Sequence, residues 1–259
     1  MKKIVFCDID GTLVKDNKDL ITRNIDEVKE FVKDNEFILC TGRATKSAIE
    51  VSEKHGATPV VISSNGAVVY DYLNDTLIFE NVINKEVVEE IHQLSNDLKL
   101  KVYFNKALLR VGNNFQDKYP LIESSDLEHI NQIVIMDNSF RKMLDIKKEM
   151  EKIKGIKISN LSLALINEED DESNYYYLDI TKDDTSKGLG IEKYMASKTE
   201  KAYLIAIGDH VNDLSMFKVC DYNIATDNAF YELKVKSNFI TTSNNDDAVE
   251  VALKHIKEL

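Results

Sequence analysis

Hydrophobic and polar positions follow one rhythm at both ends of this chain and another in its middle. Ile4-Val5-Phe6-Cys7 is an unbroken apolar run that stops at Asp8, with a second carboxylate at Asp10 and a Gly11-Thr12 turn behind it. Such a run, bounded by a turn, predicts a strand buried on both faces of a parallel sheet. The pattern continues with an amphipathic stretch over 22–34, an apolar run over 37–40, a helical stretch over 44–55 and Pro59-Val60-Val61-Ile62, which reads as βαβαβ. Val68-Val69-Tyr70 and Leu77-Ile78-Phe79 flank Asn74-Asp75, predicting a hairpin and an antiparallel edge.

From 82 to 181 the rhythm changes. A helix over 84–97, strands at 101–104 and 107–111, an irregular stretch to 131, a strand at 133–136, a helix at 139–152 and strands at 156–158, 161–166 and 175–180 describe an α+β module with an antiparallel sheet. Alternation then returns, with helices at 187–197, 211–218, 228–235 and 246–257 and strands at 203–207, 222–225 and near 239. The expected fold is α/β, a doubly wound and mostly parallel sheet built from 1–81 and 182–259, with the α+β domain 82–181 inserted into it.

Composition narrows the classes. The 259 residues are 43% hydrophobic and 30% charged, with only 2 Pro and 9 Gly, so the chain reads as folded throughout and large enough for a substantial core. A net charge of −12 argues against nucleic acid or an anionic membrane as partner, because neutralising phosphates requires clustered Lys and Arg. No signal-peptide or membrane-spanning run is present, so the cytoplasm is the default compartment. Cys7, Cys40 and Cys220 lie in or beside apolar runs without metal-ligand spacing, which suits buried thiols. The pattern fits a monomer or a homodimer equally.

Polar residues gather where strands hand over to helices. Asp8 and Asp10 follow the first run, Thr41-Gly42-Arg43 follows the second, and Gly208-Asp209-His210-Val211-Asn212-Asp213 follows Tyr203-Leu204-Ile205-Ala206-Ile207. Ligands of open α/β sheets bind at these carboxyl ends. Lys187 instead opens a helix. A carboxylate at the end of a buried strand requires a cation or a protonated partner nearby. Taken one at a time, each segment is an ordinary turn, cap or surface lysine. Together and in this order, the aspartate pair before Gly-Thr, the Thr-Gly-Arg segment, the single lysine and the Gly-Asp turn resemble the four motifs of the haloacid dehalogenase superfamily. Ser64-Asn65-Gly66-Ala67 and the long insert before Lys187 make the chain similar to the Cof-type phosphatases of that superfamily.

The resemblance implies a Rossmann-like core with an inserted cap, and Mg²⁺-dependent hydrolysis of a small phosphorylated metabolite, such as a sugar phosphate or a phosphorylated cofactor. It makes Asp8 the nucleophile that becomes an aspartyl-phosphate, and Asp10 the general acid and base. Asp8, Asp209 and the backbone carbonyl of Asp10 are the implied metal ligands. Thr41, Gly42, Lys187 and Asn212 are implied at the phosphate, Arg43 and Asn65 at the substrate, and Asp213 behind them, orienting Lys187 or a metal-bound water. The chemistry suits these residue types: a phosphate ester resists anionic attack, so its site needs a nucleophile together with positive charge. A phosphosugar mutase shares the motifs, and a silent phospho-ligand-binding protein would share the fold.

Three features stand outside this scheme. His210 is expected as an exposed turn residue. The acidic run Glu168-Glu169-Asp170-Asp171-Glu172 lacks the glycine and ligand spacing of a calcium loop and reads as a solvated hairpin loop. Tyr175-Tyr176-Tyr177 should alternate between the two faces of a strand, with core filling as the default role.

Overall fold

The computed structural model describes residues 1–17, 24–113, 120–123, 127–159, 161–165 and 174–259. The acidic run at 168–172 lies outside them. The chain divides into two compact units, Met1–Glu80 with Ser186–Leu259, and Asn81–Thr185.

The first unit is built on a sheet of β1 (Lys3–Cys7), β2 (Glu36–Cys40), β3 (Val60–Ser63), β4 (Val68–Asp71), β5 (Thr76–Glu80), β12 (Tyr203–Gly208), β13 (Tyr222–Ala225) and β14 (Phe239–Ile240), numbered in chain order. Its order is β14-β13-β12-β1-β2-β3-β4-β5. β1 pairs in parallel with both β2 and β12, and the hairpin strands β4 and β5 run antiparallel at one edge. Sequence order runs away from β1 in both directions, which makes the carboxyl end of β1 the switch point where such sheets open a crevice. Val5, Phe6 and Cys7 have no exposed surface, as expected of a central strand. Helices α1 (Asn24–Phe31), α2 (Thr45–His55) and α8 (Ala248–Glu258) pack together. Helices α5 (Lys187–Ala196) and α6 (Leu214–Phe217) carry Ile191, Tyr194, Met216 and Phe217 into one cluster with Phe6, Ile38 and Ile62.

Several helices are shorter than their periodicity predicts. α1 starts at Asn24 and ends at Phe31, with 18–23 outside the described residues. The helix expected over 211–218 opens as a 3-10 turn, Val211–Asp213, before α6. Helix α7 (Tyr231–Lys236) starts three residues later than expected, because the Phe230 N–H is drawn to the Asp209 carbonyl at 2.9 Å. α8 begins at Ala248, since Asp247 takes a left-handed φ of 56° that interrupts the helical run.

The second unit contains β6 (Lys101–Asn105), β7 (Arg110–Gly112), β8 (Gln132–Asp137), β9 (Ile156–Ile158), β10 (Ser162–Leu165) and β11 (Asn174–Lys182), all paired antiparallel. β7 is shorter than expected because Lys106 N–H donates to the Leu109 carbonyl, turning 107–109 out of the strand. Helices α3 (Lys85–Asp97) and α4 (Phe140–Met150) bury Val88, Ile91, Met143 and Ile146 with Val102, Phe104, Ile133, Ile135 and Leu178. Alternation sends Tyr176 to this side, where its ring lies 5.1 Å from that of Phe140. Tyr175 and Tyr177 go to the other face and pack on Tyr103, Val134 and Met136.

That second face also carries a polar row. Arg110 Nε donates to Asn105 Oδ1 at 2.8 Å, Asn105 Nδ2 to Gln132 Oε1 at 2.8 Å, and Gln132 Nε2 to Asp179 Oδ1 at 3.1 Å. Loss of water around Asp179 pushes its carboxyl up to about 7, although Arg110 and the Gln132 amide pull it down. An acid raised in the folded state binds its proton there while the unfolded chain has released it. Stability from this group therefore falls as pH rises from the ordinary carboxylate range towards about 7. Asp179→Asn is expected to flatten the decline in Tm between about pH 5 and pH 8, read by thermal unfolding across that range.

Candidate active site

Asp8 stands one residue past the end of β1, and its backbone N–H donates to the Ile207 carbonyl of β12 at 3.0 Å. Its side chain is nearly enclosed. Lys187, the first residue of α5, has 1% of its surface exposed and donates from Nζ to Asp8 Oδ1 and to Asp213 Oδ1, each at 2.6 Å. Ser186 caps that helix, accepting from Leu189 N–H at 3.1 Å, which fixes where the lysine leaves the backbone. Gly188 permits the approach of α5 to the 212–215 turn, since a Cβ there would stand 2.4 Å from the Ser215 carbonyl oxygen.

The 209–213 turn folds around Asp213. Asp213 Oδ2 accepts from the N–H groups of Asp209 at 3.0 Å and His210 at 2.9 Å, so a wholly buried carboxylate organises the segment. Asp209 Oδ1 in turn accepts from Thr12 Oγ1 at 2.7 Å. Gly11 passes close beneath it with φ +81°, and a Cβ on Gly11 would lie 2.4 Å from Asp209 Oδ2. The Gly-Thr pair is therefore needed twice, the glycine for room and backbone freedom and the threonine for its hydroxyl.

Three carboxylates thus face one ammonium. Burial pushes the Asp8 carboxyl well above its ordinary range; Lys187 pulls it back, while Asp213 and Asp209 add to the rise. Asp209 is pushed up to about 6 by burial and by Asp213, with the Thr12 hydroxyl opposing. Burial would lower Lys187, but Asp213 and Asp8 outweigh it and hold the ammonium firmly protonated. Oxygens of Asp8, Asp209 and Asp213 lie within 4.8 Å of one another. Both Asp213 oxygens already accept from the lysine or from backbone N–H, which leaves Asp8 and Asp209 as the carboxylates suited to a cation. An all-oxygen donor set with surplus negative charge fits a hard divalent ion such as Mg²⁺.

The remaining residues form a second wall. Thr41 N–H donates to the Ile62 carbonyl at 2.8 Å and Asn65 N–H to the Thr41 carbonyl at 2.9 Å. Thr41 Oγ1 accepts from Arg43 N–H at 3.1 Å, leaving its own proton to donate. Gly42 lies against Asn65, whose Oδ1 accepts from Asn212 Nδ2 at 3.1 Å. Ser64 and Asn65 both hold positive φ, 50° and 57°, a concentration of backbone strain at the mouth of the sheet. α2 begins only at Thr45, so Thr41 and Gly42 precede its first turn.

Asp10 and Arg43 face each other. Arg43 donates from Nε to Asp10 Oδ2 at 2.7 Å and from Nη2 to Asp10 Oδ1 at 2.5 Å. This bidentate pair engages both oxygens of an exposed carboxylate, so Arg43 sits on Asp10. His210, expected to be exposed, is half-buried with its ring edge-on to Phe230 at 4.6 Å, and burial lowers its pKa against the pull of Asp213. Sequence reading passed over Thr12 as a ligand of Asp209, although it stands in the Gly-Thr signal itself.

Residues 5–253 match the family model of the haloacid dehalogenase-like hydrolases, and the chain belongs to that family. It is 26% identical over 282 residues to the 5-amino-6-(5-phospho-D-ribitylamino)uracil phosphatase YwtE of Bacillus subtilis, covering 95% of each chain. It is 27% identical over 257 residues to the phosphoglycolate phosphatase of Archaeoglobus fulgidus, covering 98% of this chain and 96% of that one. A haloacid dehalogenase-like hydrolase from Bacteroides thetaiotaomicron shares the fold with a TM-score of 0.81 at 22% identity, covering 99% of this chain and 100% of that one. Among the described residues, no helix is long and apolar enough to cross a membrane.

The lysine is the test of this arrangement. Lys187→Met strands two buried carboxylates and is expected to cost about 3–5 kcal/mol of unfolding free energy, measured by urea denaturation near neutral pH without divalent metal. Adding Asp213→Asn to the same chain should recover part of the loss, because one stranded charge is then removed.

Proposed function

We propose that this chain is a cytoplasmic, Mg²⁺-dependent phosphatase of small phosphorylated metabolites that works through a phosphorylated Asp8. The observation that carries this reading is the buried Asp8 carboxylate, held by Lys187 at the switch point of the sheet and within 4.8 Å of Asp209. One Asp8 oxygen attacks phosphorus while the other stays beside the Lys187 ammonium and the cation, so the ammonium offsets the charge between two anions. Thr41, Gly42, Asn65 and Asn212, joined to one another and through Arg43 to Asp10, carry hydroxyl, N–H and amide donors suited to phosphoryl oxygens. Asp8 and Asp209, with the Asp10 carbonyl, would hold the Mg²⁺, which supplies charge neutralisation at the phosphoryl oxygens.

Asp10 is the acid that protonates the leaving oxygen and then the base that takes a proton from water. Both of its oxygens are engaged by Arg43, so it must exchange at least one of those bonds for the leaving group. Arg43, freed in part, then faces the substrate. The named relatives act on a phosphorylated ribitylaminouracil and on phosphoglycolate, which supports a small phosphate monoester as substrate class.

Phosphate release from an aryl phosphate, with and without Mg²⁺, tests the reading. Native protein should turn over only with the metal. Asp8→Asn should abolish release, and Asp10→Asn should lower kcat by about 10²–10⁴-fold, the range of a lost general acid–base. Metal-independent release, or release that survives Asp8→Asn, would overturn it.

A further inference from the structure

Three asparagines hold the turn that carries Asp10. Leu13 and Val14 N–H groups both donate to the Ile9 carbonyl at 3.0 Å, so the chain doubles back immediately after Asp10 and directs the carbonyls of the turn elsewhere. Each of three such carbonyls is met by a side-chain amide. Asn228 Nδ2 donates to Gly11 O at 2.8 Å, Asn24 Nδ2 to Leu13 O at 3.0 Å and Asn244 Nδ2 to Val14 O at 3.0 Å.

The three amides are themselves anchored. Asn228 Oδ1 accepts from Asn244 N–H at 2.9 Å, Asn24 Oδ1 from Glu250 N–H at 2.8 Å, and Asn244 Oδ1 from Ser243 Oγ at 3.2 Å. They come from the start of α1, the segment between β13 and α7, and the turn before α8, so three distant parts of the first unit converge on one loop. Asn24 and Asn244 have 0% and 1% of their surface exposed, and burying an amide is unfavourable unless its bonds are made. An amide suits the task because one short side chain donates to the turn and accepts from the framework; a carboxylate would set oxygen against carbonyl.

Asp10 itself is exposed and is held through its carboxylate by Arg43, a contact that catalysis must loosen. Once it loosens, the position of Asp10 rests on the backbone beneath it. We infer that Asn24, Asn228 and Asn244 are positioning residues that fix Asp10 for its two proton transfers, an inference that rests on the phosphatase reading above. Misplacing a reacting group by about 1 Å can cost about 10²-fold in rate, so a loosened turn should be visible in kcat.

Asn228 is exposed, so its variants are expected to fold. Asn228→Asp keeps the acceptor for Asn244 N–H and loses the donor to Gly11; Asn228→Ala loses both without adding charge. Three readouts are compared with native protein: aryl phosphate kinetics with Mg²⁺, phosphoprotein trapped by acid quench, and hydrogen exchange of the peptide spanning 9–17. Both variants should show kcat lowered about tenfold with KM within about twofold, more trapped phosphoprotein, and faster exchange, at a Tm close to native. Native kcat and native exchange in both variants would overturn the inference, as would a kcat loss in Asn228→Asp that Asn228→Ala does not share, since that traces to charge. A lowered Tm with native kcat and phosphoprotein level would make the asparagines structural only, and overturn it equally. If native protein releases no phosphate, the phosphatase reading fails by itself, and exchange of 9–17 then decides whether the asparagines hold the turn.

Discussion

A lysine ammonium buried between two carboxylates is the constraint around which the first unit is arranged. Lys187 is almost fully enclosed, and so are Asp8 and Asp213, so none of the three charges is tolerable without the others. Satisfying them demands that the end of β1, the first turn of α5 and the turn after β12 meet within hydrogen-bond distance. Ser186 caps the helix at the required place, Gly188 removes the side chain that would block its approach, and Asp213 gathers the backbone of 209 and 210. These local devices have one common purpose, which is to bring a charge cluster to the carboxyl end of a central strand.

The cluster is satisfied in hydrogen bonds yet unbalanced in charge. One ammonium faces three carboxylates; burial pushes Asp8 and Asp209 upward, and the neighbouring carboxylates add to that push. A site that tolerates such a surplus is suited to positive charge from outside, such as a divalent ion. The contrast with Asp10 is instructive. Its carboxylate is exposed and is offset by Arg43 at the surface, where exchange of partners is inexpensive. A buried, held carboxylate beside an exposed, exchangeable one is the pairing that the proposed two-step transfer asks of Asp8 and Asp10, which lie only two residues apart.

The second unit solves a different problem with the same two-residue period. One face of its antiparallel sheet is covered by α3 and α4, whereas the other carries tyrosines, Val134 and Met136 beside a row of Arg110, Asn105, Gln132 and Asp179. Burying the Asp179 carboxyl in that row costs stability at neutral pH, since burial holds its pKa up against Arg110 and the Gln132 amide. That row links neighbouring strands through side-chain bonds.

Much of this was legible along the chain because strand burial, turn chemistry and helix capping are local. The parallel strands, the hairpin edge, the alternation of Tyr175 to Tyr177 and the placement of Asp8, Thr41 and Asp209 at strand ends all follow from period and punctuation. Helix limits were less legible: Phe230 is drawn to the Asp209 carbonyl and Asp247 turns left-handed, and neither event has a local signal. Lys187 alone reads as a surface residue, and only the folded chain buries it. Tertiary structure likewise decided that Arg43 engages Asp10, that Thr12 supports Asp209, and that three asparagines from distant segments meet one turn. Sequence specifies which groups are available and roughly where the chain bends; which of them meet depends on distances closed by packing, and a hydrogen bond or ion pair exists only at those distances.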